Sequence, residues 1–194
     1  RFIRINTAST TPKQIKELVP RFPKSTKNRY DLYMRFGRGE LEAFKIADIG
    51  ESRIKLTCGV EYPSDRMLKF MNKGITKEEI FNMTKFLDQK GNIEATIFII
   101  LGWEELEYKD LTDLKKYLDI VPENFTIFIN NLFVKPYTSL FDRYQPTMEE
   151  HIGPFFLGYI PKLSKEKKRL NLMARDLILK YKERKIVDWS IGIL

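Results

Sequence analysis

Residues 54–76 read IKLTCGVEYPSDRMLKFMNKGIT, and this stretch decides the fold. Ile54 to Val60 alternates apolar and polar side chains with the two-residue period of a strand. Glu61 follows at the carboxyl end of that strand. Ser64 or Asp65 then caps a helix with Met67, Leu68 and Met71 to bury, and Gly74 stops it. A strand, a carboxylate at its end and a helix start thus fall within one short unit, the repeating element of a parallel α/β sheet.

Working outward, Thr76-Lys77-Glu78-Glu79 has the form of a capping box, in which the Thr76 hydroxyl accepts from the Glu79 amide and Glu79 reaches back. Ile80, Met83, Phe86 and Leu87 follow at helical spacing, and Gly91 closes the helix. Ile93 to Leu101 (IEATIFIIL) is almost continuously apolar, as expected of a parallel strand covered on both faces. A helix over Asp110–Ile120 and a buried strand over Phe125–Val134 come next. Upstream, Tyr30–Gly37 reads as a strand and Glu40–Ile49 as a helix burying Leu41, Phe44 and Ile46. Four strands are legible, with a fifth available from Phe2, Ile3 and Ile5. Residues 144–163, rich in Pro, Gly and aromatics, read as a packed loop. A basic helix from Ser164 to Lys185, apolar along Leu170, Met173, Leu177 and Tyr181, closes the chain. The expected fold is α/β: half of a partial, TIM-like (β/α) barrel over residues 1–143, with a loop and helical extension over residues 144–194. The missing strands are expected to precede Arg1, in a longer protein. An incomplete sheet has a free edge, so edge-strand dimerisation is expected.

The chain of 194 residues is 43% hydrophobic and 13% aromatic, enough for a packed core. A single cysteine, Cys58, excludes a disulfide framework and fits a reducing, cytoplasmic compartment. A single histidine, His151, excludes a multi-histidine metal site built by this chain alone. No apolar run is long enough to span a bilayer. The net charge of +8 is uneven: residues 1–30 and 161–185 each carry net +7, whereas residues 31–160 carry net −5. Two basic ends suit a polyanionic partner such as nucleic acid, or are solvated helix faces.

In parallel α/β sheets ligands sit beyond the carboxyl ends of the strands. Glu61 lies there, as an acceptor for a ribose hydroxyl or amino group, or as a charge favoured by the next helix's dipole. Gly102 lets backbone approach a flat ring. Arg35, ending its strand, is a carboxylate clamp or simply an exposed arginine. Asn130, Asn131 and Phe133 on the last strand are candidates to line the pocket, and since unpaired buried amides are costly at least one of Asn130 and Asn131 must face a polar partner or a cavity. Trp103 is a lid or a loop anchor. Cys58 is a small buried hydrophobe, and the carboxylates of residues 104–110 form a solvated loop. No GxGxxG or GxxxxGK[ST] occurs, so dinucleotide and P-loop sites are unsupported.

Cys58 through Thr76 resembles the fourth strand and following helix of radical S-adenosylmethionine enzymes, with their "GVE" strand end and "SDxxLKxMNKGIT" continuation. Ile100, Gly102 and Glu105 resemble the second half of that family's fifth-strand GxIxGxxE signature, although Phe98 replaces its first glycine. Lys135-Pro136-Tyr137-Thr138-Ser139-Leu140-Phe141 looks like its "PGTPLF" turn after the sixth strand. The family's CxxxCxxC motif is absent. The resemblance implies that the chain is the C-terminal portion of an iron–sulfur enzyme, inactive alone, whose full-length form binds S-adenosylmethionine and a [4Fe–4S] cluster, with cobalamin in some members. It implies cofactor contact for Glu61, adenine packing for Ile100 beside Gly102, and local hydrogen bonding for Glu105; Arg35, Asn130 and Phe133 line the same pocket. It assigns no catalytic residue and no metal ligand to this chain. The contrasting expectation is a noncatalytic interaction or nucleic-acid-binding module built on the same half-barrel.

Overall fold

The computed structural model describes residues 2–4, 10–22, 29–47, 53–144, 148–152, 157–181 and 183–190. Its strands are β1 (Phe2–Arg4), β2 (Arg29–Met34), β3 (Arg53–Glu61), β4 (Ile93–Leu101), β5 (Thr126–Asn131), β6 (Met148–Ile152), β7 (Leu157–Pro161) and β8 (Lys185–Asp188). Its helices are α1 (Pro12–Leu18), α2 (Arg38–Ile46), α3 (Asp65–Phe70), α4 (Lys77–Lys90), α5 (Tyr108–Leu118), α6 (Ser139–Tyr144) and α7 (Lys165–Leu179).

One six-stranded sheet runs β1-β2-β3-β4-β5-β8, every neighbouring pair parallel. Each strand is laid beside the previous one with no reversal of order. Right-handed crossovers in such a progression all fall on the same face. The burial pattern agrees. Ile54, Leu56, Cys58 and Val60 of β3, the matching Ile93, Ala95, Ile97, Ile99 and Leu101 of β4, and Ile127 and Ile129 of β5 are buried toward the helices. Full burial of a branched aliphatic side chain is worth about 1.5–3 kcal/mol, so this face carries the stability of the sheet. α4 and α7 pack on β4, α5 packs on α7, and α2 packs on α4. The opposite face, carrying Thr57, Gly59 and Glu61 of β3 and Glu94, Phe98 and Ile100 of β4, is half-exposed. The apolar run of β4 is therefore covered on one face only, and its Phe98 and Ile100 face the open concavity of a partial barrel.

The local signals of the middle of the chain hold. Thr76 and Glu79 make the reciprocal cap, with Glu79 N–H to Thr76 Oγ1 at 3.2 Å and Thr76 N–H to Glu79 Oε2 at 2.8 Å. Gly91 terminates α4 in the left-handed region at φ 64°. Four expectations are corrected. The parallel sheet has six strands, because the expected long C-terminal helix ends at Leu179 and the chain returns as β8 beside β5. The stretch read as a packed loop contains the antiparallel hairpin β6–β7, tied to Val134 by the Val134–Tyr159 bridge. On α7 the buried line is Leu170, Asn171, Ala174 and Ile178, and Met173 is exposed. Ser64 occupies the N-cap of α3, but its hydroxyl leaves the cap for Asp110 of α5. No helix among the described residues is long and apolar enough to cross a membrane.

Candidate functional site

The carboxyl ends of β3, β4 and β5 form one rim. β3 reaches it through an irregularity: Gly59 pairs with Phe98 and Glu61 with Ile99, leaving Val60 as the extra residue of a bulge. Glu61 adopts φ 62°, a left-handed conformation uncommon for a residue with a β-carbon. Its side chain folds back over Gly59 on the open face, where a β-carbon at position 59 would overlap the Glu61 carboxylate. Lys73, from the turn after α3, donates to Glu61 Oε1 at 2.7 Å. An ionised carboxylate accepts at about four sites, so Glu61 keeps acceptor capacity for a ligand hydroxyl.

Ile100 and Asn130 are direct neighbours across β4 and β5, both half-exposed on the open face. With strands about 4.8 Å apart, Glu61, Ile100 and Asn130 span roughly 10 Å of rim, the width of a nucleoside. Gly102 turns the chain off β4 at φ 94°, which favours glycine. Its amide, however, is committed: Asn171 Oδ1 of α7 accepts from Gly102 N–H at 2.7 Å and from Trp103 N–H at 3.2 Å. Asn171 Nδ2 donates to Trp103 O at 2.9 Å and to Lys167 O at 2.8 Å. One buried amide therefore clamps the whole turn. Trp103 is a buried anchor, its indole N–H on Ile100 O at 2.8 Å. Glu105 accepts from the Tyr144 hydroxyl and lies 3.6 Å from Arg143, a local hydrogen-bonding role.

The remaining candidates stand apart from this row. Phe133 packs on Gly158 of the β6–β7 hairpin. Arg35 is exposed past β2. Asn131 is buried toward the helices with neither amide atom partnered among the described residues, whereas Asn130 is half-exposed, so of the two strand-end amides it is Asn130 that faces the concavity. The residues 104–110 are more than a solvated loop: Asp110 is fully buried and accepts from Ser64 Oγ at 2.5 Å, Glu107 N–H at 2.9 Å and the Arg66 guanidinium. Arg66 also lies 3.2 Å from Glu107. This knot fastens the start of α3 to that of α5, directly below the rim. Burial pushes the enclosed Tyr62 phenol well up, and the Asp110 charge adds to it.

Glu40, in the first turn of α2, is a further rim carboxylate that sequence reading passed over. Burial raises its pKa, against the lowering by its own backbone hydrogen bond and by the Arg35 charge. A raised carboxyl favours folding in acid, and that contribution is lost as pH rises through the folded-state value. Glu40→Gln is therefore expected to raise the melting temperature near neutrality, with a gain that shrinks toward pH of about 4, where wild type is itself protonated. Melts of both proteins across that range measure it.

The rim offers one carboxylate, one amide and one apolar side chain as its ligand-facing groups and, among the described residues, no donor set for a cluster. The chain's one cysteine, Cys58, is buried toward the helices, where burial pushes its thiol well up, and no metal-binding group of His, Cys, Asp and Glu occurs among the described residues. An iron–sulfur cluster needs several thiolates.

No known protein family and no curated protein sequence matches the chain. Among solved structures it is similar to spore photoproduct lyase in three variants. The first, a cysteine-to-serine mutant, aligns at TM-score 0.58 and 11% identity over 96% of this chain and 61% of the lyase. A cysteine-to-alanine mutant aligns at 0.52 and 13% over 91% and 56%, and a tyrosine-to-phenylalanine mutant at 0.52 and 12% over 90% and 55%. The chain thus spans about three fifths of the length of the lyase it matches. At 11–13% identity the likeness shows the fold alone: this chain folds as a partial α/β barrel similar to part of spore photoproduct lyase.

Proposed function

We propose that this chain is the adenosyl-binding and substrate-facing portion of a radical S-adenosylmethionine enzyme whose [4Fe–4S] cluster is held by protein outside these 194 residues. The observation that carries the reading is Glu61: a carboxylate in a left-handed conformation, on a bulge, at the open end of a parallel strand. Backbone held in such a region is costly and concentrates at functional sites. In this reading Glu61 accepts from the ribose hydroxyls, Ile100 packs on the adenine, and Asn130 hydrogen-bonds beside it. Gly102 and its Asn171 clamp keep the turn low enough for the ring to lie on Ile100. Lys73 fixes the Glu61 rotamer. S-adenosylmethionine, once bound beside a reducing cluster, supplies hydrogen-abstraction chemistry; the residues here orient it and shield it from water.

The resemblance places β3, β4 and β5 at the family's fourth, fifth and sixth strands, so β1 and β2 correspond to its second and third. In this reading a further barrel strand with the cluster-bearing loop is supplied by protein outside these 194 residues. β1 and β8 are the sheet edges, and β1 is the edge against which that strand would pair. A second copy of the chain would compete for the same edge.

Equilibrium dialysis with labelled S-adenosylmethionine tests the reading. Wild type should retain the ligand, and Glu61→Gln should weaken retention by about tenfold or more, the worth of a hydrogen bond to a charged group. Equal retention by both proteins would remove Glu61 from the site.

A further inference from the structure

The rim row does not end at Asn130. Ile129 pairs with Asp188, and Trp189 N–H donates to Ile129 O at 2.9 Å, so the register sets Trp189 beside Asn130 on the open face. With strands about 4.8 Å apart, Trp189 stands roughly 10 Å along the rim from Ile100, and a purine laid on Ile100 beside Asn130 fills that interval. One register step below the rim, Gly59, Phe98, Phe128 and Val187 form an uncharged floor. The Phe98 and Phe128 rings lie 5.2 Å apart, and Phe128 meets the Trp189 indole edge-on at 5.3 Å and 85°. That contact leaves an indole face uncovered, and Trp189 is 65% exposed.

The flanks of Trp189 are fixed from the opposite side of the sheet. Arg175 Nε donates to Asp188 Oδ2 at 2.7 Å and to Ser190 Oγ at 3.1 Å, and Ser190 N–H donates to Asp188 Oδ1 at 2.8 Å. Arg175 lies one turn beyond Asn171 on the same side of α7, so one helix face holds both the Gly102 turn and the mount of Trp189. The two ends of the row differ in charge. The β3 end carries Glu61 paired with Lys73, whereas the β8 end is built from Asn130, Trp189, Phe128 and Val187, all uncharged.

We propose that Trp189 is the outer wall of the adenine site: the base lies on Ile100 with the indole packed against it, Asn130 meets its polar edge, and the ribose points toward Glu61. The inference rests on the adenosyl reading and adds to it the direction in which the ligand lies and a wall supplied by the end of β8. A neutral base with a hydrogen-bonding edge suits an apolar aromatic corner holding one amide. The amino-acid part of S-adenosylmethionine, charged at both of its termini, does not, because that corner offers no counter-charge to repay its desolvation.

Intrinsic fluorescence of the whole chain tests it, because Trp189 is open to acrylamide whereas Trp103 is only 2% exposed. S-adenosylhomocysteine should shield Trp189 from acrylamide saturably, and so should adenosine, which carries the base and ribose alone. In parallel equilibrium dialysis Trp189→Leu should weaken retention of both ligands by about tenfold or more, the worth of one stacked base, and Trp189→Phe should recover most of the loss. Retention of S-adenosylhomocysteine without shielding of Trp189, or with wild-type affinity in Trp189→Leu, overturns the proposal and leaves the adenosyl reading standing. Shielding by S-adenosylhomocysteine but not by adenosine also overturns it, since the base would then lie elsewhere. Failure of the wild-type chain to retain either ligand overturns both.

Discussion

Replacing Asn171 by leucine is expected to lower the melting temperature by roughly 10 °C and to abolish S-adenosylmethionine retention. Leucine keeps the branched heavy-atom outline of asparagine but strands the amides of Gly102 and Trp103 and the carbonyl of Trp103, all of which Asn171 satisfies in a fully buried site. Each buried group left unpaired costs about 1–3 kcal/mol. Three such groups, partly relieved by water, come to about 4 kcal/mol, at roughly 2–4 °C per kcal/mol for a chain of this size. The loss of binding follows from geometry, because the released turn lifts Gly102 away from the rim. Asn171→Asp, which keeps both acceptor contacts and loses both donors, should fall between leucine and wild type. Thermal melts and dialysis on the three proteins check the series, and an Asn171→Leu protein as stable as wild type would remove the clamp from the account.

Asp110→Ala is expected to cost about 3 kcal/mol, the lower end for breaking a buried ion pair, because the Arg66 side chain is 28% exposed and recovers some hydration. The variant leaves Ser64 Oγ, Glu107 N–H and the guanidinium without their shared acceptor. The double variant Arg66→Met with Asp110→Leu should regain most of that loss, since replacing both partners by apolar groups of similar shape is close to neutral. Denaturant unfolding of the single and double variants measures the coupling. A double variant no more stable than Asp110→Ala would show that the knot matters for packing rather than for charge.

What was legible in the sequence was local. The alternation of Ile54–Val60, the Thr76–Glu79 cap and the αL glycine at position 91 each depend on residues a few positions apart, and each stands where expected. The partners of Asn171 lie 68 and 69 residues earlier in the chain, and no short-range pattern signals such a clamp. Asp110 looked like one more acid in a charged loop because its two main partners, Ser64 and Arg66, belong to another helix. β8 was hidden by its own brevity: Ile186 and Val187 sit between Lys185 and Asp188, and the basic run before them reads as helix throughout. The β6–β7 hairpin was masked by the Pro and Gly that make its neighbourhood look irregular. Of the rim, the strand-end position of Glu61 was readable, whereas its left-handed backbone and its pairing with Lys73 needed the three-dimensional register.

The most direct test of the central claim is a crystal structure of the chain soaked with S-adenosylhomocysteine, which carries the same adenosyl group without needing a cluster. The account predicts ribose density within hydrogen-bonding reach of Glu61 and adenine lying on Ile100, beside Asn130. Adenosyl density elsewhere on the molecule, or an empty rim in a crystal soaked to saturation, would contradict it.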